Sequence, residues 1–275
     1  SPATLIKDIQ RHGIRVRAID VTESDYACTL PDAHTVRLGL RYVSGLREES
    51  ARSIIAARNK APFESLGDLR QRVTMSRDEW LRLAELGAFQ KLGPTRRQAL
   101  WQLSRQPPPA LFATTGERHS SSPLREMSYP ERLASDYKNS SLSVGPHPMH
   151  LLRSALNSAQ IASSHSLKQR AHGSRARVAG VVIIRQRPMT AKGLLFITLE
   201  DELGFINLII SPALFESART LAVSAPALLA EGTVQSHRGV VHLKCTQIFD
   251  LYSHISSPTQ AHTSSLKTLP SSQKT

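Results

Sequence analysis

Two glycines constrain this chain more than any other residues. Gly45 lies in the run Leu38 to Arg58 and Gly87 in the run Trp80 to Leu103, each where a helical pattern breaks and then resumes. A glycine between two helices lets the backbone turn through left-handed conformations and leaves main-chain N–H groups facing outward with no side chain over them. Amides of this kind near the start of a helix make a seat for an anion. Two such hairpins in tandem predict a surface that holds a phosphate backbone without reading bases.

The residues around each bend agree with that expectation. Ser44-Gly45-Leu46 is followed by Arg47 and a helix through Ile54 and Ile55, while Leu86-Gly87-Ala88 is followed by Lys91 and the pair Arg96-Arg97. Backbone amides with guanidinium groups beside them form a phosphate clamp. The candidate contacts in this half are therefore Gly45, Leu46, Arg47, Gly87, Ala88, Lys91, Arg96 and Arg97. Either bend alone is equally what a helix ending in a glycine C-cap looks like; the pairing favours the clamp.

The chain has 275 residues, room for two domains with ordinary cores, and a formal charge of +13 with a pI near 10.3. The excess is spread evenly, with 18 basic against 12 acidic side chains up to residue 105 and 17 against 10 beyond it. Both halves suit a polyanionic partner, nucleic acid first. Cys28 and Cys245 lie far apart in apolar surroundings, which argues against a disulfide framework or thiolate metal site and fits a reducing cytoplasm. There is no signal-peptide pattern and no apolar run near the roughly 20 residues of a membrane helix, so no membrane partner is expected. A start at Ser1 without Met points to a piece of something longer or a processed product.

Along the chain, Pro2 with Leu5, Ile6 and Ile9 and a stop at Gly13 predicts a helix, and Ile14 to Val21 a strand. Residues 1–36 form a small α/β opening. From 37 to 105 the pattern is helical with breaks: Pro62 ends one element, Ser65 caps the next, and Ser76-Arg77-Asp78-Glu79 is a capping box. Gly93-Pro94 opens a last helix through Trp101. Residues 106–174 read as a Pro-, Ser- and Thr-rich linker followed by a bridging helix over Met149 to Ile161.

The period then changes. Arg177 to Arg187, Leu194 to Glu200 and Gly204 to Ser211 are β-rich runs, Pro212 to Val223 is helical, and Ala227 to Ser236 with Val240 to Leu251 forms a hairpin. Three strands, a helix and two strands is the order of an OB-fold barrel over 175–252. The expected fold class is thus α+β and multi-domain, a tandem helix-hairpin-helix module followed by an OB-fold. Residues 253–275 read as a disordered tail. Ligand loops would be Gln186 to Gly193 and Gln235 to Gly239. Arg175, Arg177, Arg185, Arg187 and Lys192 are expected to cluster at the first strand and the loop after it, against single-stranded DNA, with Phe196 and Phe205 the only aromatics of the first three strands.

Little points to bond-making chemistry. Glu200-Asp201-Glu202 is read as a solvated hairpin loop, because adjacent carboxylates on a strand turn point apart. His147 and His150 have no third ligand nearby, and no Walker loop, nucleophile elbow or Rossmann glycine pattern is present. No catalytic residue and no cofactor is assigned to this chain.

Several motifs, in order, carry a resemblance. Gly39-Leu40-Arg41-Tyr42-Val43-Ser44-Gly45-Leu46, Ala61-Pro62-Phe63-Glu64-Ser65-Leu66, Leu86-Gly87-Ala88-Phe89 and Arg96-Arg97-Gln98-Ala99-Leu100-Trp101 resemble the C-terminal third of bacterial C-family DNA polymerases, most closely the error-prone, damage-induced branch. His147-Pro148-Met149 and Leu199-Glu200-Asp201-Glu202 with Gly204 resemble that family's approach to its OB-fold, so the likeness runs from about Ser1 to Leu251. It departs at Arg47, where the replicative branch commonly has a second hairpin glycine, and in the Ser-rich end. The resemblance implies a tail of the fingers domain, a helix-hairpin-helix module on duplex DNA and an OB-fold near the single-stranded template. It also implies a catalytic palm, using Mg2+, outside this chain. Sliding-clamp or other accessory partners would follow, with Leu111-Phe112 as a possible clamp peptide. Two alternatives from other classes are a stand-alone sequence-independent DNA-binding or scaffold module and an RNA-binding barrel.

Overall fold

The computed structural model describes residues 2–104, 124–191, 193–237 and 239–251. The clamp peptide at 111–112, Lys192 and the tail after 251 lie outside them. The chain divides into two compact units, Ser1–Pro146 and His147–Thr275.

In the first unit, α1 (Pro2–Arg11) precedes a three-stranded sheet of β1 (Arg15–Arg17), β2 (Thr29–Asp32) and β3 (Thr35–Arg37) in the order β1-β3-β2. The strand expected over Ile14 to Val21 is only three residues long, because Ile19 and Val21 leave the sheet to enter the core and Val21 N–H donates to Ala88 O at 3.0 Å. A 3-10 turn at Leu40–Tyr42 leads to α2 (Glu48–Lys60), α3 (Leu66–Arg72), α4 (Arg77–Leu86) and α5 (Arg96–Ser104). Ser65 caps α3 by accepting from Asp68 N–H, and Ser76 with Glu79 closes the capping box of α4. Ile54, Leu69 and Leu83 are fully buried, each stabilising the unit by roughly 1.5–3 kcal/mol. Trp80 and Phe89 pack with ring centres 5.9 Å apart. Ile6, Ile19, Val21 and Leu38 belong to this same core, so the α/β opening and the helices are one body.

The expected linker holds a helix. α6 (Tyr129–Ser140) has a Ser128–Glu131 capping box and one well-buried apolar residue, Leu133. It is held instead by polar bonds: Arg96 to Asp136 at 2.7 Å, Arg97 to Glu131 at 2.7 Å and Asn139 Nδ2 to Glu85. Lys7 Nζ then donates to Ser143 O at 2.8 Å and to Gly145 O, folding the following residues back onto α1.

In the second unit, α7 (Pro148–Ser158) and α8 (Ser164–Lys168) precede a closed barrel of β4 (Arg175–Gln186), β5 (Leu195–Glu200), β6 (Phe205–Ile210), β7 (Ala227–His237) and β8 (Val240–Asp250), in the order β4-β5-β6-β8-β7. β6 and β8 run parallel and close it; the other pairs are antiparallel. β4 is long enough to pair with β7 over Arg175–Val181 and with β5 over Val181–Gln186. The helical run after β6 is two helices, α9 (Pro212–Ser217) and α10 (Arg219–Ser224), meeting at Ala218. Alternation sends Leu195, Ile197, Leu199, Ile206, Leu208 and Ile210 inward. A second cluster of Met149, Leu156, Ile161, Ala179, Leu229 and Leu251 seats α7 on the barrel. The architecture is α+β, helices plus an OB-like five-stranded barrel.

The Glu200-Asp201-Glu202 run is not a solvated loop. Asp201 is fully buried and accepts from Ser164 N–H and Oγ at 2.6 Å each and from Leu203 and Gly204 N–H at 2.9 Å each. Arg153 reaches both Asp201, at 3.4 Å, and Glu202. The chain has folded α8 onto the strand turn through one carboxylate, which no local pattern announces. Asp201→Ala leaves those donors and Arg153 without their acceptor and should destabilise the barrel unit by about 3–5 kcal/mol, read from denaturant unfolding.

Candidate nucleic-acid interface

The first bend begins after the 3-10 turn. Leu46 N–H closes it on Val43 O at 3.2 Å, Ser44 N–H is held by Asn139 O of α6 at 2.7 Å, and Gly45 has φ +75°. Gly45 is exposed, and among the described residues nothing accepts its N–H. A Cβ at position 45 would sit 3.2 Å from Cζ and 3.3 Å from Nε of Arg82, so the guanidinium of α4 lies against the bend. Among the described residues Arg82 makes no ion pair. A free amide and a free guanidinium in contact range are what a backbone phosphate needs. Arg82 was not among the expected residues. Its only sequence signal is its position three residues after Glu79 on the same face of α4.

Arg47 does different work from that expected of it. Its N–H and Nε donate to Glu79 Oε1 at 3.0 and 3.2 Å, and Nη2 to Oε2 at 3.1 Å. Glu79 is 2% exposed, and its Oε2 also accepts from Ser76 N–H at 2.8 Å. Burial opposes its ionisation, but the bonds from Arg47, Ser76 and Ser50 outweigh this and hold the carboxyl far below the usual glutamate range. Arg47 is the tie that fixes the start of α2 to α4. Leu46 packs against the core.

The second bend turns inward. Gly87, φ +78°, is the left-handed C-cap of α4; its N–H donates to Ala84 O at 3.0 Å and that of Ala88 to Leu83 O at 2.9 Å, with Ala88 fully buried. A Cβ at 87 would lie 2.8 Å from Nε of Arg96. Arg96 is itself largely buried on Asp136, Arg97 is paired with Glu131, and Lys91 with Glu23. The expected second seat is therefore a helix cap buttressed by ion pairs.

On the barrel, the four expected arginines, all that the described residues include of the expected cations, do not form one cluster. Arg175 and Arg185 stand on one strand up to about 33 Å apart. Arg177 pairs with Glu231 at 2.6 Å. Arg185 caps α10 by donating to Ala222 O at 2.8 Å and to Ala225 O, and burial lowers its pKa from the usual arginine value. Arg187, at the loop end, is exposed with its guanidinium 4.6 Å above the Phe215 ring. Phe196 and Phe205 both face outward, Phe196 half-buried and Phe205 on the exposed side. Among the described residues no three His, Cys, Asp or Glu groups come together as a metal site, and no helix is long and apolar enough to cross a membrane.

A consequence follows for acid stability. Because the Glu79 pKa is lowered by folding, its contribution is complete above the ordinary glutamate range near about 4.3 and is lost as pH falls through that range towards the lowered value. Glu79→Gln should cost about 2 kcal/mol at neutral pH, with the gap to the native chain narrowing in acid, as measured by denaturant unfolding across pH.

A helix-hairpin-helix motif model matches residues 13–99. The error-prone DNA polymerase of Methylococcus capsulatus is 37% identical over 273 residues, covering 91% of this chain and 26% of that protein. The corresponding polymerase of Burkholderia pseudomallei is 38% identical over 261 residues, covering 91% and 24%, and error-prone DNA polymerase 2 of Agrobacterium fabrum is 35% identical over 268 residues, covering 91% and 25%. Among solved structures, asparaginyl-tRNA synthetase from Pyrococcus horikoshii is 19% identical over 33% of this chain and 22% of its own, with a TM-score of 0.29, a likeness too slight to bear on function. The chain spans about a quarter of the length of the curated relatives it matches. Over nine-tenths of its residues the chain is similar in sequence to error-prone DNA polymerases.

Proposed function

We propose that this chain is the DNA-holding region of an error-prone polymerase, gripping duplex through backbone phosphates at the Gly45 bend. The observation that carries the proposal is the free Gly45 N–H beside the unpaired Arg82 guanidinium, inside the matched helix-hairpin-helix segment. The seat touches no base edge, so binding is sequence-independent and falls steeply with salt. The loop end of the barrel, with Arg187 and outward Phe196, takes single-stranded DNA by charge and stacking.

Primer extension, its use in damage-induced mutagenesis and translesion repair, and any clamp or accessory partner are proposed for the longer protein. So are the magnesium ions of polymerisation. The residues described here do not fit that metal: Asp201 is surrounded by protein donors and Glu202 is paired with Arg153. No catalytic step is derived from this chain.

Duplex binding measured against salt tests the grip. Arg82→Ala should weaken it equally across sequences and lower the salt slope by about one, with folding intact. Unchanged binding would remove the seat. Arg96→Ala should instead destabilise its unit by about 3–5 kcal/mol, because it strands a buried Asp136, and thermal unfolding separates that loss from a binding effect.

A further inference from the structure

The barrel unit carries a groove of about 1000 Å3 at the Arg175 end of β4, opposite the end that leads into Gln186 to Gly193. Arg175, Arg177, Glu231 and Thr233 line it from β4 and β7, and Gln160 and Arg170 from the segments flanking α8. Arg177 and Glu231 neutralise one another. Arg175 stands opposite neutral Thr233, and Arg170 gives one N–H to Arg175 O at 3.0 Å, so two guanidinium groups line the groove with no carboxylate partner among the described residues.

Gln160 adds a second observation. It ends α7 with φ +57°, a left-handed conformation that glycine adopts freely and a side chain resists. Backbone strain of this kind concentrates where a side chain is needed. Here it sets a carboxamide on the groove wall.

Arginine forks match carboxylate and phosphate alike. Among the described residues no aromatic side chain lines the groove, so bases would find no stacking platform there. Hydroxyls and carboxamides suit main-chain N–H and C=O groups of an extended peptide instead. The closed barrel has no free strand edge for such a peptide to join, which leaves recognition to these side chains.

We propose that this groove binds an extended acidic peptide of a protein partner, its carboxylates on Arg175 and Arg170 and its backbone on Gln160 and Thr233. The test is fluorescence anisotropy on the 275-residue chain with a labelled oligo-aspartate peptide, and oligothymidylate as a second probe. The peptide should bind, Arg175→Glu should weaken it about tenfold or more, and Glu231→Gln, which releases Arg177, should tighten it. Arg219→Glu, a surface charge outside the groove, should leave it unchanged. Gln160→Gly should weaken the peptide while raising the unfolding midpoint, a pairing that a purely structural role would not give. Peptide affinity indifferent to Arg175→Glu overturns the proposal. So does a groove where oligothymidylate, not the peptide, is the probe lost in that variant.

Discussion

The hold of one buried carboxylate, Glu79, on the backbone and guanidinium of Arg47 is what the DNA-facing side of the first unit rests on. It joins the start of α2 to the start of α4 through a group that could not stay ionised where it is without those donors. Glu79 and Arg82 are one turn apart on α4, so the face that fixes the bend also delivers the cation beside it. α6 completes the arrangement from the other side: Asn139 O receives Ser44 N–H, and its Nδ2 holds Glu85 at the far end of α4.

The two bends share a sequence signature and a left-handed glycine yet end differently, and the reason lies in what precedes each. α4 is a full helix whose last carbonyls need donors, and the amides of Gly87 and Ala88 satisfy Ala84 and Leu83. Gly45 follows only a three-residue 3-10 turn, where Val43 and Leu46 make the closing bonds and no helical carbonyl lays claim to the glycine amide. One amide is left for a ligand and the other for the fold.

Much of the architecture was legible because it follows from short-range patterns. Ser65 and the Ser76–Glu79 box mark helix starts by local hydrogen bonding, Pro62 marks a helix end by its missing N–H, and the alternation Leu195-Ile197-Leu199 marks a half-buried strand. α6 was hidden because Arg96–Asp136 and Glu85–Asn139 anchor it where apolar periodicity would ordinarily be needed. Of the duplex seat, only Gly45 was legible. The chain is rich in arginine, and composition does not say which ones are already paired: Arg47, Arg96, Arg97, Arg177 and Arg185 all find protein acceptors, while Arg82 finds none among the described residues.

The length of β4 also bears on how the chain is made. Apart from one bridge between Val178 and Ala162, its first half has no sheet partner until β7 exists, since Arg175 must wait for Thr233, and the barrel closes only when β8 meets β6. Contacts so distant along the polypeptide are slow to form. As the nascent chain leaves the ribosome, the helical unit has its whole core available long before the barrel does, so it can fold first and leave an unfinished sheet as the segment most in need of chaperone protection.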